Sequence, residues 1–371
     1  MKNLDKYRGC LIGGAAGDAL GYAVEFLSED DIFRKYGRNG ITEYNLVNGV
    51  ARISDDTQMT LFTANGLLIG TTRGMTRGIM GTYPSYIASC YEDWYRTQTE
   101  KFSLVKGNSH AWLMNIPGLF SARAPGNTCL SAIYKFSHGT VGTIENPINS
   151  SKGCGGVMRV APIGLYFADR GMTAEEIDRI GAVAAALTHG HELGYLPAAA
   201  LVHIIHLVSH NDDVTLSEAV NDAMKACRTL FADAKHLSEF IQIMEKAVRL
   251  SRTDAKDLDA IREIGEGWVA EETLAIAVFC ALKYENDFEK ALITSVNHSG
   301  DSDSTGAVTG NILGAYLGLR QIPQKYKNKL ELYDVILEIA DDLYNDCKLS
   351  EYGSHHDEVW EQKYIYGTYT P

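Results

Sequence analysis

The chain has 371 residues, of which 45% are hydrophobic and 22% charged, a balance typical of a globular protein with a large core. Its 34 Lys and Arg against 47 Asp and Glu give a formal net charge of −13, which disfavours nucleic acid or anionic lipid as the main partner. The seven cysteines form no CxxC pair, so neither a disulfide framework nor a zinc ribbon is indicated. With no signal-peptide pattern and no apolar run of 18 residues, the sequence predicts a cytoplasmic protein outside the membrane.

Apolar residues recur with the helical period along most of the chain, and the alternation typical of strands is scarce. Residues 70–151 are less periodic and are predicted to be part helix and part substrate-facing loop. Thr173 and Glu176 form a capping-box pattern that predicts a helix running to about residue 187. Later helices are expected over 193–208, 216–231, 237–250, 272–282, 288–296, 304–317 and 332–344. The fold prediction is all-α: a compact orthogonal multi-helix bundle that forms one domain over residues 1–371.

A run of small residues precedes an isolated acid near the N-terminus. Residues 13–25 read GGAAGDALGYAVE, and the glycines and alanines predict close packing of one helix against another. This packing does not account for Glu25, because an acid that follows an apolar stretch needs a partner or solvent. If Glu25 lies beside a metal site, it can bind metal-held water or act as a general acid or base.

Two clusters of acids and hydroxyls, at 53–60 and 298–306, precede predicted helices. Acids at a helix start often cap exposed N–H groups, and capping is the alternative interpretation for each cluster. However, each cluster has more carboxylates than a helix cap needs, and adjacent carboxylates repel one another unless a cation lies between them. Oxygen ligands suit Mg²⁺ or Mn²⁺, and four carboxylates would balance two divalent ions. The candidate ligands, which include no Cys or His and so disfavour zinc, are Ser54, Asp55, Asp56, Asp301, Asp303 and Ser304.

Five blocks together are diagnostic: GGAAGDALGYAVE, SDDTQMT, GCGGVMRVAPIGL, THGHELGY and NHSGDSDSTGAVTGNILGAYLG. In this order they resemble the ADP-ribosylglycohydrolase family, and most closely its bacterial branch, which includes dinitrogenase reductase-activating glycohydrolase. The resemblance extends from about residue 8 to about residue 320. The segment 323–371 carries none of the motifs and is expected to be a C-terminal helical extension.

The resemblance implies an all-α fold with a cleft that holds two divalent cations, Mg²⁺ or Mn²⁺. It implies hydrolysis of the N- or O-glycosidic bond between ADP-ribose and an acceptor, with ADP-ribosyl-arginine on protein as the expected substrate. Serine, other adducts and a toxin-modified protein stay open as alternative acceptors. The six candidate ligands match the family's two metal blocks, and Asp303 is expected to bridge the ions. Glu25, Asp55 and Asp56 are the expected catalytic acids, while the role of Glu25 as acid, base, ligand or ribose positioner stays open.

The loop 152–159, KGCGGVMR, resembles the segment that approaches the phosphates in this family. Its glycines allow backbone N–H groups to turn toward a pyrophosphate, although an ordinary tight turn is the alternative. Cys154 is interpreted as a spectator rather than a nucleophile, and residues 123–128 are expected to line the acceptor side. For His189 and Tyr195, a packed structural role is the alternative interpretation. The candidate substrate contacts are Gly153, Cys154, Gly155, Gly156, Val157, Met158, His189 and Tyr195.

Several features have a structural interpretation that competes with function. His203, His206 and His210 fall at helical spacing and are interpreted as one helix face rather than a metal site. Trp268 lies in a segment that resembles the family's cleft region, and core packing is its alternative.

Two rival functions stay open: a binuclear metal phosphohydrolase that acts on ADP-ribose or a nucleotide, and a non-catalytic ADP-ribose-binding or structural relative. The expected partner is an ADP-ribosylated protein or small ADP-ribosyl compound, and the chain is expected to be a monomer.

Overall fold

The computed structural model describes residues 2–103 and 109–371. Within these ranges the chain is all-α, as predicted, and its only β pairing consists of isolated bridges. The N-terminal half contains α1 (Leu4–Gly21), α2 (Glu29–Tyr36), α3 (Asp55–Arg77), α4 (Tyr83–Thr99), α5 (Asn127–Phe136), α6 (Ala161–Tyr166) and α7 (Ala174–Ala186). The C-terminal half contains α8 (Glu192–His210), α9 (Leu216–Leu230), α10 (Leu237–Ser251), α11 (Asp257–Ile264), α12 (Ala270–Lys283), α13 (Phe288–Val296), α14 (Ser302–Leu317), α15 (Gln324–Lys327), α16 (Tyr333–Asn345) and α17 (Glu358–Tyr364).

The helices predicted after residue 170 are confirmed to within two residues at each end. Thr173 and Glu176 form the predicted capping box at the start of α7, where the hydroxyl accepts from the N3 backbone and the carboxylate accepts from the N-cap backbone. The less periodic stretch 70–151 contains the end of α3, all of α4 and α5, and loops, as predicted. Residues 104–108 of that stretch lie outside the described residues.

Helices α1 and α14 pack in backbone contact, as the small residues of the N-terminal segment predicted. A Cβ built on Gly13 would overlap the carbonyl oxygen of Gly310, and one built on Gly310 would overlap that of Gly13. Because residues four apart share one helix face, the contact repeats along both helices in antiparallel order. The facing pairs are Gly9 with Gly314, Gly13 with Gly310, and Gly17 with Gly306. This contact places the start of α14 beside the end of α1.

Helix α8 lies in the core and packs against α6, α7, α9, α12 and α14. It is the one described helix that is long and apolar enough to cross a membrane, and 83% of its apolar window is buried inside the protein, as expected for a core helix. Toward the C-terminus, α16 packs on α1 and α3, while α17 packs on α3. The C-terminal segment therefore covers the first and third helices.

Candidate active site

The two acid clusters meet in one cleft of about 340 Å³. Asp55 and Asp56 open α3, Asp303 lies in the first turn of α14, and Glu25 follows α1, so the packing of these helices brings the acids together. None of the described lining residues is Lys or Arg. The lining consists of Glu25, Phe26, Asp55, Asp56, Ala124, Pro125, Gly126, Asn127, Thr128, Cys129, Gly153, Cys154, Gly155, Met158, His189, Trp268, Asp301, Asp303 and Ser304.

Asp18 holds the start of α3 in place, a role that the sequence analysis did not assign. Its fully buried carboxylate accepts from the backbone N–H of Ser54 at 2.8 Å, from that of Thr57 at 3.1 Å, and from the Thr57 hydroxyl. Burial raises the pKa of Asp18 to about 6, although these hydrogen bonds oppose the shift. An acid inside a run of glycine and alanine was the available signal, because such a buried charge requires fixed partners.

Capping accounts for part of each acid cluster. Ser54 is the N-cap of α3, and its hydroxyl accepts from the backbone N–H of Asp56 at 3.2 Å. Asp301 is the N-cap of α14 and accepts from the backbone N–H of Ser304 at 3.2 Å. Asp55 accepts only a 3.4 Å hydrogen bond from the backbone of Gly126, which belongs to a different segment. The clusters therefore contain more carboxylates than the two helix starts use.

The cleft is electrostatically unfavourable for its own carboxylates. Burial, together with Asp301 and Asp55, raises the pKa of Glu25 to about 9. Burial and neighbouring acids also hold the pKa values of Asp55, Asp56 and Asp303 well above their usual range. Two buried oxygens, Oε2 of Glu25 and Oδ2 of Asp56, have no hydrogen-bond partner among the described residues. Unpaired buried carboxylate oxygens are costly, so this donor set fits a cation.

The donor chemistry fits divalent cations that keep part of their water shell. Among residues 2–103 and 109–371, no three His, Cys, Asp or Glu side chains converge as a ready-made cage. Mg²⁺ is usually held by one or two carboxylates and several waters, so it does not require such a cage. Ser304 lines the cleft, whereas Ser54 is fully buried and does not line it. The assignment of the six ligands stays a prediction.

The glycine loop forms part of the cleft wall. Residues Cys154–Gly156 form a 3₁₀ turn, and the backbone N–H of Cys154 donates to the carbonyl oxygen of Trp268 at 3.2 Å. A Cβ on Gly155 would lie 3.0 Å from Cε1 of His189, so the loop packs directly on this histidine. Burial lowers the pKa of His189 to about 3, and the imidazole is therefore neutral. Its Nδ1 lies 2.8 Å from the Thr188 hydroxyl.

The predicted substrate contacts separate into two groups. Gly153, Cys154, Gly155, Met158 and His189 line the cleft. Three others are buried and do not line the cleft, and their contact with substrate stays a prediction: Gly156, Val157 and Tyr195. Of the segment 123–128, which was expected to line the acceptor side, residues 124–128 line the cleft. The buried guanidinium of Arg123 instead pairs with the carboxylate of Glu331.

Cys154 lies among the acids and remains a thiol. Its Sγ is 2.7 Å from Oδ2 of Asp301. Burial, followed by the charges of Asp301 and Asp56, raises the pKa of this thiol well above its usual value. A thiol held protonated is a poor nucleophile, which agrees with the interpretation of Cys154 as a spectator.

Trp268 does not pack in the core, so that alternative was wrong. Its side chain lines the cleft and is 40% exposed. The histidines of α8, by contrast, bond to protein groups: His203 lies between Asp178 at 2.7 Å and Asp222 at 3.3 Å. His206 lies 3.3 Å from the carbonyl oxygen of Gly164. These contacts agree with a structural role for this helix face.

A larger cavity of about 650 Å³ lies between α4, α5 and α7. Its lining is mostly apolar, and its charged residues are Glu92, Glu176 and Arg179. This cavity lacks the converging carboxylates of the cleft, and the acids of the two sequence clusters line the cleft rather than this cavity. The acidic cleft is therefore the candidate active site.

Comparison with known proteins identifies the family. A family model described as ADP-ribosylglycohydrolase matches residues 1–352. The chain belongs to the ADP-ribosylglycohydrolase family. A solved structure titled ADP-ribosylglycohydrolase-related protein complex superposes with a TM-score of 0.60 over 92% of this chain and 98% of that one. At 21% sequence identity, this likeness establishes the ADP-ribosylglycohydrolase fold alone.

Relatives within the family have related names. ADP-ribosyl-[dinitrogen reductase] glycohydrolase from Rhodospirillum rubrum is 26% identical over 88% of this chain and 91% of that protein. ADP-ribosylarginine hydrolase Tri1 from Pseudomonas putida is 25% identical over 92% of this chain and 78% of that protein. ADP-ribosylhydrolase ARH3 from Bos taurus is 24% identical over 52% of this chain, which spans little more than half (58%) of that relative.

Proposed function

We propose that this chain is a metal-dependent hydrolase that cleaves the glycosidic bond between ADP-ribose and an acceptor, with ADP-ribosyl-arginine on protein as its substrate. The observation that carries the proposal is a cleft in which five carboxyl groups lie together without a lining Lys or Arg. The relative named ADP-ribosylarginine hydrolase supports the arginine acceptor. The relative named for dinitrogen reductase supports a substrate on protein.

Two divalent cations, Mg²⁺ or Mn²⁺, are the proposed cofactors. Support comes from the unpartnered oxygens of Glu25 and Asp56 and from the crowding of buried acids around them. When bound, such ions orient hydroxyl groups and lower the pKa of water below its bulk value of about 15.7. The proposed ligands are Ser54, Asp55, Asp56, Asp301, Asp303 and Ser304.

The residues of the chain have separate proposed tasks. The loop at Gly153 and Gly155 directs its backbone toward the pyrophosphate, because the absence of side chains leaves room for close approach. Carboxylates around the distal ribose stabilise the positive charge that develops at the anomeric carbon, as in glycoside cleavage generally. Glu25, at the end of the cleft where α1 finishes, is the candidate for handling the proton or positioning the ribose.

Product analysis tests the proposal. The purified chain, supplied with Mg²⁺ or Mn²⁺, is incubated with arginine- and serine-ADP-ribosylated proteins. Release of ADP-ribose and unmodified acceptor is expected. AMP and ribose phosphate would instead indicate the rival phosphohydrolase, and binding of ADP-ribose without any product would indicate a reader. An arginine substrate left intact while the serine substrate is cleaved would overturn the acceptor assignment alone.

A further inference from the structure

Two aromatic side chains at the cleft are exposed to solvent although large apolar groups are usually buried. Phe26 is 72% exposed and Trp268 is 40% exposed, and both line the acidic cleft. Their rings stack with centroids 6.2 Å apart and planes inclined by 21°. The other three tryptophans, Trp94, Trp112 and Trp360, are buried. We call the exposed pair, Phe26 and Trp268, the aromatic lip.

The backbone that carries Trp268 is held from three sides, so its exposure does not result from a loose loop. The carboxylate of Glu272 accepts from the backbone N–H groups of Glu266 and Gly267 at 2.9 and 3.1 Å. The backbone N–H of Asp301 donates to the carbonyl oxygen of Glu266 at 2.9 Å. The carbonyl oxygen of Trp268 itself accepts from Cys154. The indole is thus positioned by the second acid cluster and by the glycine loop.

Phe26 is positioned by the segment that also presents Glu25. The backbone N–H of Leu27 donates to the carbonyl oxygen of Val24 at 2.8 Å, which turns the chain after α1. The backbone N–H of Glu29 donates to the Ser299 hydroxyl at 2.8 Å and ties the segment to the loop before α14. Phe26 therefore directly follows, in the chain, the acid proposed to handle the proton, and both residues line the cleft.

The chemistry around the lip favours a planar cation over a neutral group. Aromatic faces attract cations, and guanidinium groups also stack on them. Among the described residues, the lining of the cleft below the rings includes five acidic side chains and no Lys or Arg that could compete for the ring faces. The rings lie too close to admit a planar group between them, because two van der Waals contacts of about 3.5 Å need roughly 7 Å. A guest must therefore stack on an outer face of the pair.

We infer that the aromatic lip is the acceptor-recognition surface and that it selects a planar cationic acceptor, the guanidinium of an ADP-ribosylated arginine. This inference rests on the proposed function and adds the two residues that determine the acceptor. Phe26 and Trp268 contact the acceptor but take no part in proton transfer. ADP-ribose without an acceptor makes no contact with them.

The test compares Trp268→Leu with Trp268→Phe. Leucine keeps apolar bulk but lacks a π face, whereas phenylalanine keeps one. We expect Trp268→Leu to lower kcat/KM for ADP-ribosyl-arginine by about 5- to 30-fold, the range typical of a cation–π contact, and Trp268→Phe to stay within about 3-fold. By calorimetry, the Kd of ADP-ribose should change less than about 2-fold in both variants. Tyr352→Leu is the matched control, since Tyr352 is 93% exposed and does not line the cleft.

Binding without turnover gives a second readout. Because the other tryptophans are buried, acrylamide quenching reports mainly on Trp268. Measured in Glu25→Gln protein, in which cleavage is expected to be slow, ADP-ribosyl-arginine should reduce this quenching more than ADP-ribose does. An equal loss of ADP-ribose affinity in Trp268→Leu would overturn the inference, because the lip would then hold the adenine. Unchanged binding and turnover in Trp268→Leu would also overturn it. If the wild type cleaves no ADP-ribosyl substrate, the proposed function fails, and the lip is then judged from the quenching and Kd values alone.

Discussion

Gly17 of α1 and Gly306 of α14 lie so close that a Cβ on either one would overlap the backbone of the other. Gly17→Ala is therefore expected to lower the free energy of unfolding by about 1–3 kcal/mol, the usual cost of overpacking. Helix propensity alone would act in the opposite direction, since Ala is favoured over Gly by roughly 0.5–1 kcal/mol inside a helix. Urea denaturation measures the change.

The matched control for this substitution is Gly126→Ala. A Cβ on Gly126 would meet no atom within 4 Å, so Gly126→Ala causes no overlap and should cost no more than the loss of a favourable N-cap residue of α5, about 1 kcal/mol or less. A stabilised Gly17→Ala variant would contradict the close contact between the two helices.

Removal of divalent cations is expected to abolish turnover. The buried acids of the cleft need positive charge to offset their repulsion, and oxygen ligands suit Mg²⁺ or Mn²⁺. Chelator-treated protein should regain activity when either ion is added, and its thermal midpoint should rise, because a ligand that binds only the folded state stabilises it. Full activity in protein shown to be metal-free would refute the prediction.

Asp303→Ala should abolish both cation binding and cleavage while the helical circular dichroism stays near that of the wild type. The proposed bridging acid would hold both ions, whereas loss of an acid from the first turn of a helix costs only about 1 kcal/mol or less. Calorimetry with Mg²⁺ or Mn²⁺ measures the binding. Asp254→Ala, a change at an exposed acid outside the cleft, is the control. Normal turnover by Asp303→Ala would show that Asp303 does not bridge the ions.

Glu25→Gln should separate proton handling from metal binding. The amide keeps the shape and hydrogen-bonding capacity of the carboxylate but cannot carry its charge. We expect the metal content to stay near the wild-type value and the cleavage rate to fall by about 10²–10⁴-fold, the usual contribution of a positioned acid or base. Metal analysis and single-turnover cleavage on one preparation measure both. Loss of metal would make Glu25 a ligand, and unchanged cleavage would leave it without a catalytic role.

His189 gives the fold a dependence on acid pH. Burial, reinforced by the charge of Arg159, lowers the pKa of His189 to about 3, whereas the unfolded chain takes up this proton below about 6.5. Stability is therefore lost as the pH falls from about 6.5 toward 3, at up to about 1.4 kcal/mol per pH unit. The His189→Gln variant has no imidazole at this position that takes up a proton on unfolding. The free energy of unfolding of this variant should therefore fall less steeply than that of the wild type between pH 6.5 and 4. Parallel curves for variant and wild type would contradict the shift.

Local patterns predicted the helices well, because capping and periodicity are short-range properties. Thr173 and Glu176 are three residues apart, and their capping box was readable from the sequence. The close packing of α1 was also predictable, since glycines spaced four residues apart lie on one face of a helix. The partner of that face was not predictable, because periodicity carries no information about contacts between distant segments.

The site was predictable as a set of residues but not as a geometry. The two acid clusters lie about 245 residues apart, and the family resemblance suggested their convergence. The role of Asp18 was missed because its partners, Ser54 and Thr57, belong to another helix start. The sequence left core packing as an alternative for Trp268, because its local pattern does not distinguish an exposed tryptophan from a buried one.

The contact between α1 and α14 also affects the order of events during synthesis on the ribosome. Helix α1 ends at Gly21 and α14 begins at Ser302, so the glycine face of α1 must wait for about 280 further residues. At roughly 5–20 residues per second, this delay lasts about 14 to 56 s, during which the glycine face of α1 lacks its permanent partner, although α1 can already pack on α3 and α6. A polypeptide that stops before residue 298 lacks both α14 and the second acid cluster. Premature termination therefore yields a product without this cleft, however much of the remaining helix content it forms.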